Sequence, residues 1–146
     1  MRIIVQRVKE AEVIVGDQIS GKISRGLLIF LGVSKQDKEA DADYLVRKVS
    51  ELRLFEDSRG KMNLSALDTG AEILIVSQFT LYGDCKKGRR PSFDKAAEPQ
   101  KGEELYHYFI SEMRGRHAHV DTGVFGAMMD VSLINDGPVT FMLDSV

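Results

Sequence analysis

A short polar segment follows an apolar run in the middle of the chain. Residues 73–76 are apolar on both faces, as a buried central strand requires. The polar segment after them is Ser77, Gln78, Phe79 and Thr80. A buried strand whose end turns polar often opens into a pocket, and backbone N–H groups beyond the last ladder bond can bind an oxyanion. Strand periodicity would place Gln78 and Thr80 on one face; the alternative is a strand that simply runs into a loop.

Thr80 has no recognisable general base in the sequence. A hydroxyl nucleophile needs an adjacent base to activate it. The three histidines, His107, His117 and His119, lie in no familiar setting for such a base. The polar segment therefore predicts a site that catalyses without a side-chain nucleophile.

A metal site is the alternative use of two of these histidines. In a strand, His117, His119 and Asp121 would share one face. Their spacing lacks the wider ligand pattern of zinc sites, so we expect no metal. The single cysteine, Cys85, is assigned no role, and no organic cofactor is expected.

A second segment with special backbone residues lies near the end of the sequence, at Asn135, Asp136, Gly137 and Pro138. Proline cannot donate to a sheet ladder and belongs at a strand start or an edge. Asn-Asp-Gly is a turn signal. The residues alone therefore indicate a hairpin turn that enters the last strand, with the common trans peptide bond before proline.

Basic residues cluster between these two segments. Lys86, Lys87, Arg89 and Arg90 fall within five positions, although the net charge of the chain is −2. Such a cluster would bind nucleic-acid phosphates without reading base sequence. The alternative is a pair of solvated loops of opposite sign, since acidic residues gather between positions 37 and 43.

Size and composition indicate one globular domain, residues 1–146, with 43% hydrophobic and 29% charged residues. No apolar run approaches the ~20 residues that span a bilayer, and no signal-peptide pattern opens the chain. A lone cysteine suits a reducing compartment. We expect a cytoplasmic protein with no membrane partner.

The elements that must position these segments follow from hydrophobic periodicity. Strands are predicted at 3–8, 12–15, 27–33, 72–81, 120–125, 128–134 and 139–143. One helix is predicted to start at Asp37 and a second at Pro99, each with an apolar stripe. Because the strands cluster rather than alternate with helices, we predict an α+β domain with curved, mixed or antiparallel sheets.

Taken together, the two segments resemble the signature motifs of the D-aminoacyl-tRNA deacylases, which hydrolyse the ester of a wrongly charged tRNA. The resemblance rests on Ser77-Gln78-Phe79-Thr80-Leu81-Tyr82-Gly83 and on Asn135-Asp136-Gly137-Pro138-Val139-Thr140. The opening residues 1–8 and the basic stretch 86–93 also resemble the family, so the likeness covers the whole chain.

The resemblance implies a barrel-like sheet with two main flanking helices, and a homodimer. Residues 77–80 would form the catalytic pocket and oxyanion site. The Gly137–Pro138 bond would be cis, and its carbonyls would enter the partner subunit's pocket. There they would occupy the space that an L side chain needs. Glycine has no side chain, so glycyl-tRNA, mischarged on the alanine tRNA, would be cleaved as well.

The resemblance also implies supporting roles. Arg7 would brace the Gly-Pro motif with its multi-donor guanidinium, and Asn135 belongs to the same motif. Phe125 and Met129 would form pocket walls. The ribose hydroxyl of the terminal adenosine would assist hydrolysis. From the residues alone, Arg7 could equally be a surface residue on an edge strand, and Phe125 and Met129 could be core.

These observations predict a cytoplasmic, homodimeric editing esterase that acts on the 3′ acceptor end of aminoacyl-tRNA. One alternative is an editing domain that acts on L-aminoacyl-tRNA, which Gly137-Pro138 disfavours. The other is a non-catalytic RNA-binding protein that uses the basic cluster, and the sequence does not exclude it.

Overall fold

The structure is a computed structural model that describes all 146 residues. The elements in chain order are β1 (Arg2–Val15), β2 (Gln18–Ile23), β3 (Gly26–Gly32), α1 (Glu39–Glu51), β4 (Phe55–Glu56), β5 (Met62–Leu64), α2 (Ala66–Thr69), β6 (Glu72–Ser77), a 3₁₀ turn (Phe79–Tyr82), α3 (Pro99–Arg114), β7 (Val120–Thr122) and β8 (Asp130–Asp144). None of the helices is both long enough and apolar enough to cross a membrane.

Strand β1 is the spine of a six-stranded sheet. One of its edges pairs with β8, from Arg2 opposite Asp144 to Ile14 opposite Asp130. Its other edge pairs first with β3 and then with β2, both antiparallel. Strand β6 lies parallel to both β3 and β7. The sheet is therefore mixed, and its order is β2-β1-β3-β6-β7, with β8 on the free side of β1.

The sheet curls until its two ends meet. The Ser20 hydroxyl on β2 donates to the Thr122 carbonyl on β7 at 2.9 Å, and the Lys22 amide donates to Asp121 Oδ2 at 2.8 Å. A Cβ at Gly21 would lie 2.7 Å from the Thr122 carbonyl oxygen, so glycine permits this approach. Side-chain contacts thus close the roll where no ladder joins β2 and β7.

Apolar residues form two clusters on opposite faces of the buried strands. One face of β3 and β6, including Ile29 and Ile75, packs under the helices α1 and α3. The other face, including Leu28 and Leu74, packs against Val8 and Val13 of β1. A strand buried on both faces needs apolar residues at successive positions, which is what both sequences supply.

Both main helices begin where local chemistry favours it. Pro99 occupies the first turn of α3, as predicted. Helix α1 begins at Glu39 rather than Asp37, and the Asp41 carboxylate accepts the Lys38 amide at 2.8 Å. Asp37 is buried instead, where it binds the Met1 amino group and the Ser34 amide.

The predicted α+β class, with a barrel-like sheet and flanking helices, is confirmed, and α2 adds one short helix. Several of the predicted strand bounds were wrong. Strands 3–8 and 12–15 are one strand, because the chain passes Lys9 and Glu10 with a shift of register and not a turn. Strands 128–134 and 139–143 are likewise one strand, β8. Strand β7 ends at Thr122, before the predicted end at residue 125.

Candidate active site

Strand β6 ends at Ser77, and the chain then folds into the 3₁₀ turn; we call residues 77–82 the active-site turn. The last register pair of β6 with β3 joins Ser77 to Leu31. The Gln78 amide still donates to the Leu31 carbonyl at 2.8 Å, but β3 ends one residue later. A strand without a partner cannot continue. The predicted strand to Leu81, with Gln78 and Thr80 on a common strand face, is therefore wrong.

Neighbouring groups hold the active-site turn from behind. A Cβ at Gly32 would lie 3.0 Å from Leu81 Cβ and 3.1 Å from the Gln78 carbonyl oxygen, so the turn packs directly on this glycine. Arg2 Nη1 donates to the Leu81 carbonyl at 3.2 Å, and its guanidinium lies 5.3 Å from the centre of the Tyr82 ring. The backbone of the turn is thus positioned from outside the turn.

The hydroxyl of Thr80 has an amide for a neighbour. The Gln78 side-chain amide donates to Thr80 Oγ1, and no imidazole, carboxylate or amine is bonded to that oxygen. An amide N–H cannot accept a proton, so the arrangement supplies no general base to Thr80. Phe79 beside it is half exposed and meets Phe93 edge-on, with ring centres 5.1 Å apart.

A cavity of about 990 Å³ opens over the active-site turn. Its lining comes from the end of β6 with residues 77–80, from Phe93, Asp94, residues 96–99 and Gly102, and from residues 125–129, together with Leu31, Val33, Lys35 and Val131. Ser77, Gln78, Phe79, Thr80, Phe125 and Met129 all line it. Sequence reasoning identified these six but missed Asp94, residues 96–99 and Lys35, which carry no local signal of a pocket.

Phe125 and Met129 form walls of this cavity and are only partly buried. Met129 lies so close to Gly123 that a Cβ there would be 2.6 Å from its sulfur. Phe125 packs against Tyr106 with ring centres 5.7 Å apart. The Tyr106 hydroxyl donates to the Ile75 carbonyl at 3.2 Å, and burial raises the pKa of Tyr106 to about 12. It therefore remains a hydrogen-bond donor that ties this wall to β6.

The Gly-Pro segment, residues 135–139, lies inside β8 and not in a hairpin turn. The Gly137–Pro138 peptide bond is cis, and Gly137 has a φ of 134°, which favours glycine. Arg7 Nε donates to the Asp136 carbonyl at 3.2 Å, and Arg7 Nη1 donates to the Leu54 carbonyl at 2.7 Å. Arg7 is 3% exposed on the central strand β1, so it is not a surface residue on an edge strand.

The side chain of Asn135 ties the Gly-Pro segment together. Its amide group donates to Gln6 Oε1 at 2.8 Å, to the Val139 carbonyl at 3.2 Å and to Thr140 Oγ1 at 3.0 Å. Its Oδ1 accepts the Val139 amide at 2.8 Å. These bonds replace the ladder bonds that the segment lacks, and they explain how turn residues fit inside a long strand.

Gly137 and Pro138 are exposed, and neither lines the cavity over the active-site turn of the same chain. Strand β8 pairs only with β1, so its other edge is free. Large apolar side chains are exposed along β8, at Ile134, Phe141 and Met142. Such a strand presents unpaired backbone groups together with apolar surface.

The predicted basic cluster forms an exposed loop, residues 84–92, which we call the basic loop. Asp84 and Ser92 close it with two backbone bonds of 2.7 and 2.9 Å. Its four cations, Lys86, Lys87, Arg89 and Arg90, form no ion pair within the chain and do not line the active-site cavity.

The histidine residues do not form a common cluster. His117 is buried, and its Nε2 lies 2.8 Å from Ser50 Oγ. Burial, and secondarily the charge of Arg116, lowers the pKa of His117. His119 is exposed, and its Nε2 lies 3.5 Å from Asp121 Oδ1. No group of three or more His, Cys, Asp or Glu residues could hold a metal ion.

Comparison with known proteins adds to this geometry. The family model described as D-Tyr-tRNA(Tyr) deacylase matches residues 4–144. The chain belongs to this family. Proteins named D-aminoacyl-tRNA deacylase from Koribacter versatilis and Thermosipho melanesiensis are 57% and 58% identical to it, over 99% of this chain and 97% of theirs. Membership of the D-Tyr-tRNA(Tyr) deacylase family confirms the resemblance predicted from the two segments and makes the chain a hydrolase of aminoacyl-tRNA esters.

Two solved structures share the fold of this deacylase family member. One, described as "c-Myc DNA Unwinding Element Binding Protein", is 41% identical, with a TM-score of 0.93 over 99% of this chain and 98% of that one. The other, described as "Structural Analysis of a probable eukaryotic D-amino acid tRNA deacylase", is 20% identical, with a TM-score of 0.86 over 98% of each chain. At that identity the second structure supports the fold alone.

Proposed function

We propose that this protein is a cytoplasmic editing enzyme that hydrolyses the ester between a D-amino acid and the 3′ end of a tRNA. The observation that carries the proposal is the cavity of about 990 Å³, which joins the polar residues 77–80 to the apolar walls Phe125 and Met129. It lies in a chain of the deacylase family, whose relatives are named for this reaction. The test is release of D-tyrosine from D-tyrosyl-tRNA by the purified protein.

The backbone of the active-site turn supplies the oxyanion site in this proposal. The first N–H groups of a helical turn have no partner within it. Those of Phe79 and Thr80 open the 3₁₀ turn at the cavity. A water molecule attacks the ester carbonyl, the oxyanion accepts these N–H groups, and the bond to the ribose oxygen then breaks. The proton released by the water ends on the departing ribose oxygen.

The proton transfer is assisted by the neighbouring ribose hydroxyl of the substrate, because Thr80 is bonded to an amide and has no base. Thr80→Ala should therefore keep measurable deacylation, within roughly tenfold of the wild type. A substrate with a terminal 2′-deoxyadenosine should react at least ~100-fold more slowly. Trapping an acyl-enzyme at Thr80 or Ser77 would contradict this mechanism.

The chiral filter is the backbone of Gly137 and Pro138, delivered by the partner in a homodimer. Two features support it: the pair is exposed outside its own cavity, and it lies on β8, whose free edge is apolar. In a two-fold dimer each subunit gives and receives the same contact. We expect a dimer in analytical ultracentrifugation, with L-tyrosyl-tRNA refused. A monomer that still refuses the L ester would remove the basis of the filter.

Glycyl-tRNA should pass this filter, since glycine has no side chain to exclude. The measurement is hydrolysis of glycine mischarged on the alanine tRNA, beside D- and L-alanyl esters of the same tRNA. Cleavage of the L ester at the rate of the D ester would instead indicate an editing domain for L-aminoacyl-tRNA.

The basic loop binds the body of the tRNA in this proposal. Its four cations are exposed and have no ion-pair partner in the chain. Changing Lys86, Lys87, Arg89 and Arg90 together to Gln should weaken tRNA binding and flatten its salt dependence. An unchanged affinity and salt slope would show that the loop is not a tRNA contact.

A second candidate is a nucleic-acid-binding protein without catalysis. The basic loop favours it, and the relative at 41% identity is described as a DNA-binding protein. Binding of D-tyrosyl-tRNA without release of D-tyrosine, under conditions that exclude spontaneous hydrolysis, would support this candidate over the first.

A further inference from the structure

One cation at the active-site cavity does not belong to the basic loop. Lys35 is the only basic residue among those that line the cavity. It lies in the loop after β3, far along the sequence from the active-site turn and from the basic loop.

Two further lysines converge on Lys35. An isolated antiparallel bridge joins Ser34 to Ala96, and the Lys35 amide donates to the Lys95 carbonyl at 3.1 Å. The ammonium group of Lys101, in the first turns of α3, donates to the Lys35 carbonyl. We call Lys35, Lys95 and Lys101 the lysine cluster. It is assembled from three separate parts of the chain by tertiary contacts.

No member of the lysine cluster has a carboxylate partner within 4.0 Å. All three residues are at least partly exposed. Lysines that are not held by a carboxylate within the chain remain available to bind an anion. The two acidic residues of the same stretch, Asp94 and Glu98, form no ion pair with the cluster.

A second cavity, of about 560 Å³, continues from the first. It shares Lys35 and Asp94 with the active-site cavity and is also lined by Lys95. Three other carboxylates in it have partners within the chain: Asp144 pairs with Arg2, Asp37 with the Met1 amino group, and Asp41 accepts the Ser145 hydroxyl. Lys35 and Lys95 are therefore the unpaired cations where the two cavities join, and Asp94 is the unpaired carboxylate beside them.

We propose that the lysine cluster binds the internucleotide phosphates next to the terminal adenosine of the tRNA, at the point where the RNA 3′ strand leaves the active-site cavity. The site is separate from the basic loop, and it rests on the proposed function, since it assigns part of the same substrate. It positions the last nucleotides, whereas the basic loop binds elsewhere on the tRNA.

The test compares a substrate that has these phosphates with one that lacks them. In K35Q/K95Q/K101Q, kcat/KM for D-tyrosyl-tRNA should fall about 10–100-fold, mainly through KM, because each lost phosphate contact weakens binding. The loss on D-tyrosyl-adenosine, which has no phosphate, should be at least tenfold smaller. The corresponding Lys→Arg triple variant should restore most of the activity on tRNA.

A matched control changes three exposed lysines that line neither cavity, K9Q/K48Q/K61Q, and so alters net charge equally. It should not reproduce the effect. Equal losses on the two substrates, or no loss on either, would overturn the proposal.

A binding measurement separates the lysine site from the proposed function, because hydrolysis tests both. The K35Q/K95Q/K101Q variant should bind a short oligoribonucleotide ending in CCA at least tenfold more weakly than the wild type. Wild-type affinity there would overturn the lysine site even in an active enzyme.

Discussion

The two segments of the candidate site are positioned in opposite ways. The active-site turn packs on Gly32, where a missing side chain lets the backbone of the turn come close. The Gly-Pro segment is held by two polar side chains, Arg7 from β1 and the segment's own Asn135, which form hydrogen bonds where β8 lacks ladder bonds. The active-site turn therefore depends on the absence of a side chain at Gly32. The Gly-Pro segment depends on the hydrogen bonds of Arg7 and Asn135.

This difference tells which substitutions can damage each segment. In the active-site turn, β3 and Arg2 hold the proposed catalytic residues from outside the turn. In the Gly-Pro segment, Gly137 has no side chain and the Pro138 ring has no polar group, so the hydrogen bonds that hold the segment come from Arg7 and Asn135. Mutating the residues of a motif and mutating their supports should thus give different phenotypes.

The largest expected effect is that of Arg7→Ala. It removes the donors to the Leu54 and Asp136 carbonyls in a buried setting. We expect the free energy of unfolding to fall by about 3 kcal/mol, with the midpoint in urea shifted and the slope unchanged. Arg7→Lys keeps the positive charge but loses the several N–H donors of the guanidinium. Its free energy of unfolding should lie between those of the wild type and Arg7→Ala. Wild-type stability in Arg7→Ala would show that the arginine is not a support.

Gly32→Ala tests the opposite kind of support. Its Cβ would press on Leu81 Cβ and on the Gln78 carbonyl oxygen, so the active-site turn must shift. We expect kcat for D-tyrosyl-tRNA to fall roughly tenfold, since small displacements of positioned groups are costly. Gly115→Ala, where the nearest atom is 3.4 Å away and far from the cavity lining, serves as the control. Full activity in Gly32→Ala would mean that the turn does not depend on this close approach.

Asn135→Asp separates accepting from donating within the Gly-Pro segment. The aspartate can still accept the Val139 amide, but it cannot donate to Gln6, Val139 or Thr140. We expect a stability loss of about 1 kcal/mol, together with a higher ratio of L- to D-tyrosyl-tRNA hydrolysis. An unchanged ratio would show that the hydrogen bonds donated by Asn135 do not support the chiral filter.

The smallest effect should come from His117, which lies outside both segments. Burial holds its pKa in the folded state below the ordinary value of about 6.5. The unfolded chain therefore binds more protons just below that value, so the contribution is complete above pH ~6.5 and is lost as the pH falls towards the folded-state pKa. Urea unfolding between pH 7 and 5 should show this slope in the wild type and a weaker one in His117→Gln. Equal slopes would show that His117 does not titrate in this range.

The sequence predicts those helices and strands whose positions are set by local residue patterns. Apolar stripes and Pro99 locate the two main helices, and the apolar run of β3 locates a central strand. The C-terminal end of β6 and the continuity of β1 and β8 were mispredicted because they depend on partners: β6 stops where β3 stops, and β1 continues past Lys9 because β8 lies beside it.

The candidate site divides in the same way. Residues 77–80 could be found because polar residues follow a buried run, and Phe125 and Met129 through the family resemblance. The lysine cluster could not be found, since its members are ordinary surface lysines until the bridge between Ser34 and Ala96 brings their loops together. Single lysines in loops have no periodicity or spacing that marks a site.

The long pairing of β1 with β8 also determines when, during synthesis, the sheet can be completed. Arg2 and Asp144 are 142 residues apart in the chain, yet they face each other in the ladder. On the ribosome, β8 emerges after every other element that the structure describes. Until then, the edge of the Ile- and Val-rich strand β1 that pairs with β8 has no partner. Contacts so distant in sequence are slow to form and leave nascent strands exposed to aggregation. The fold should therefore be reached only after synthesis has passed β8, in one late cooperative step and not progressively from the first strand onwards.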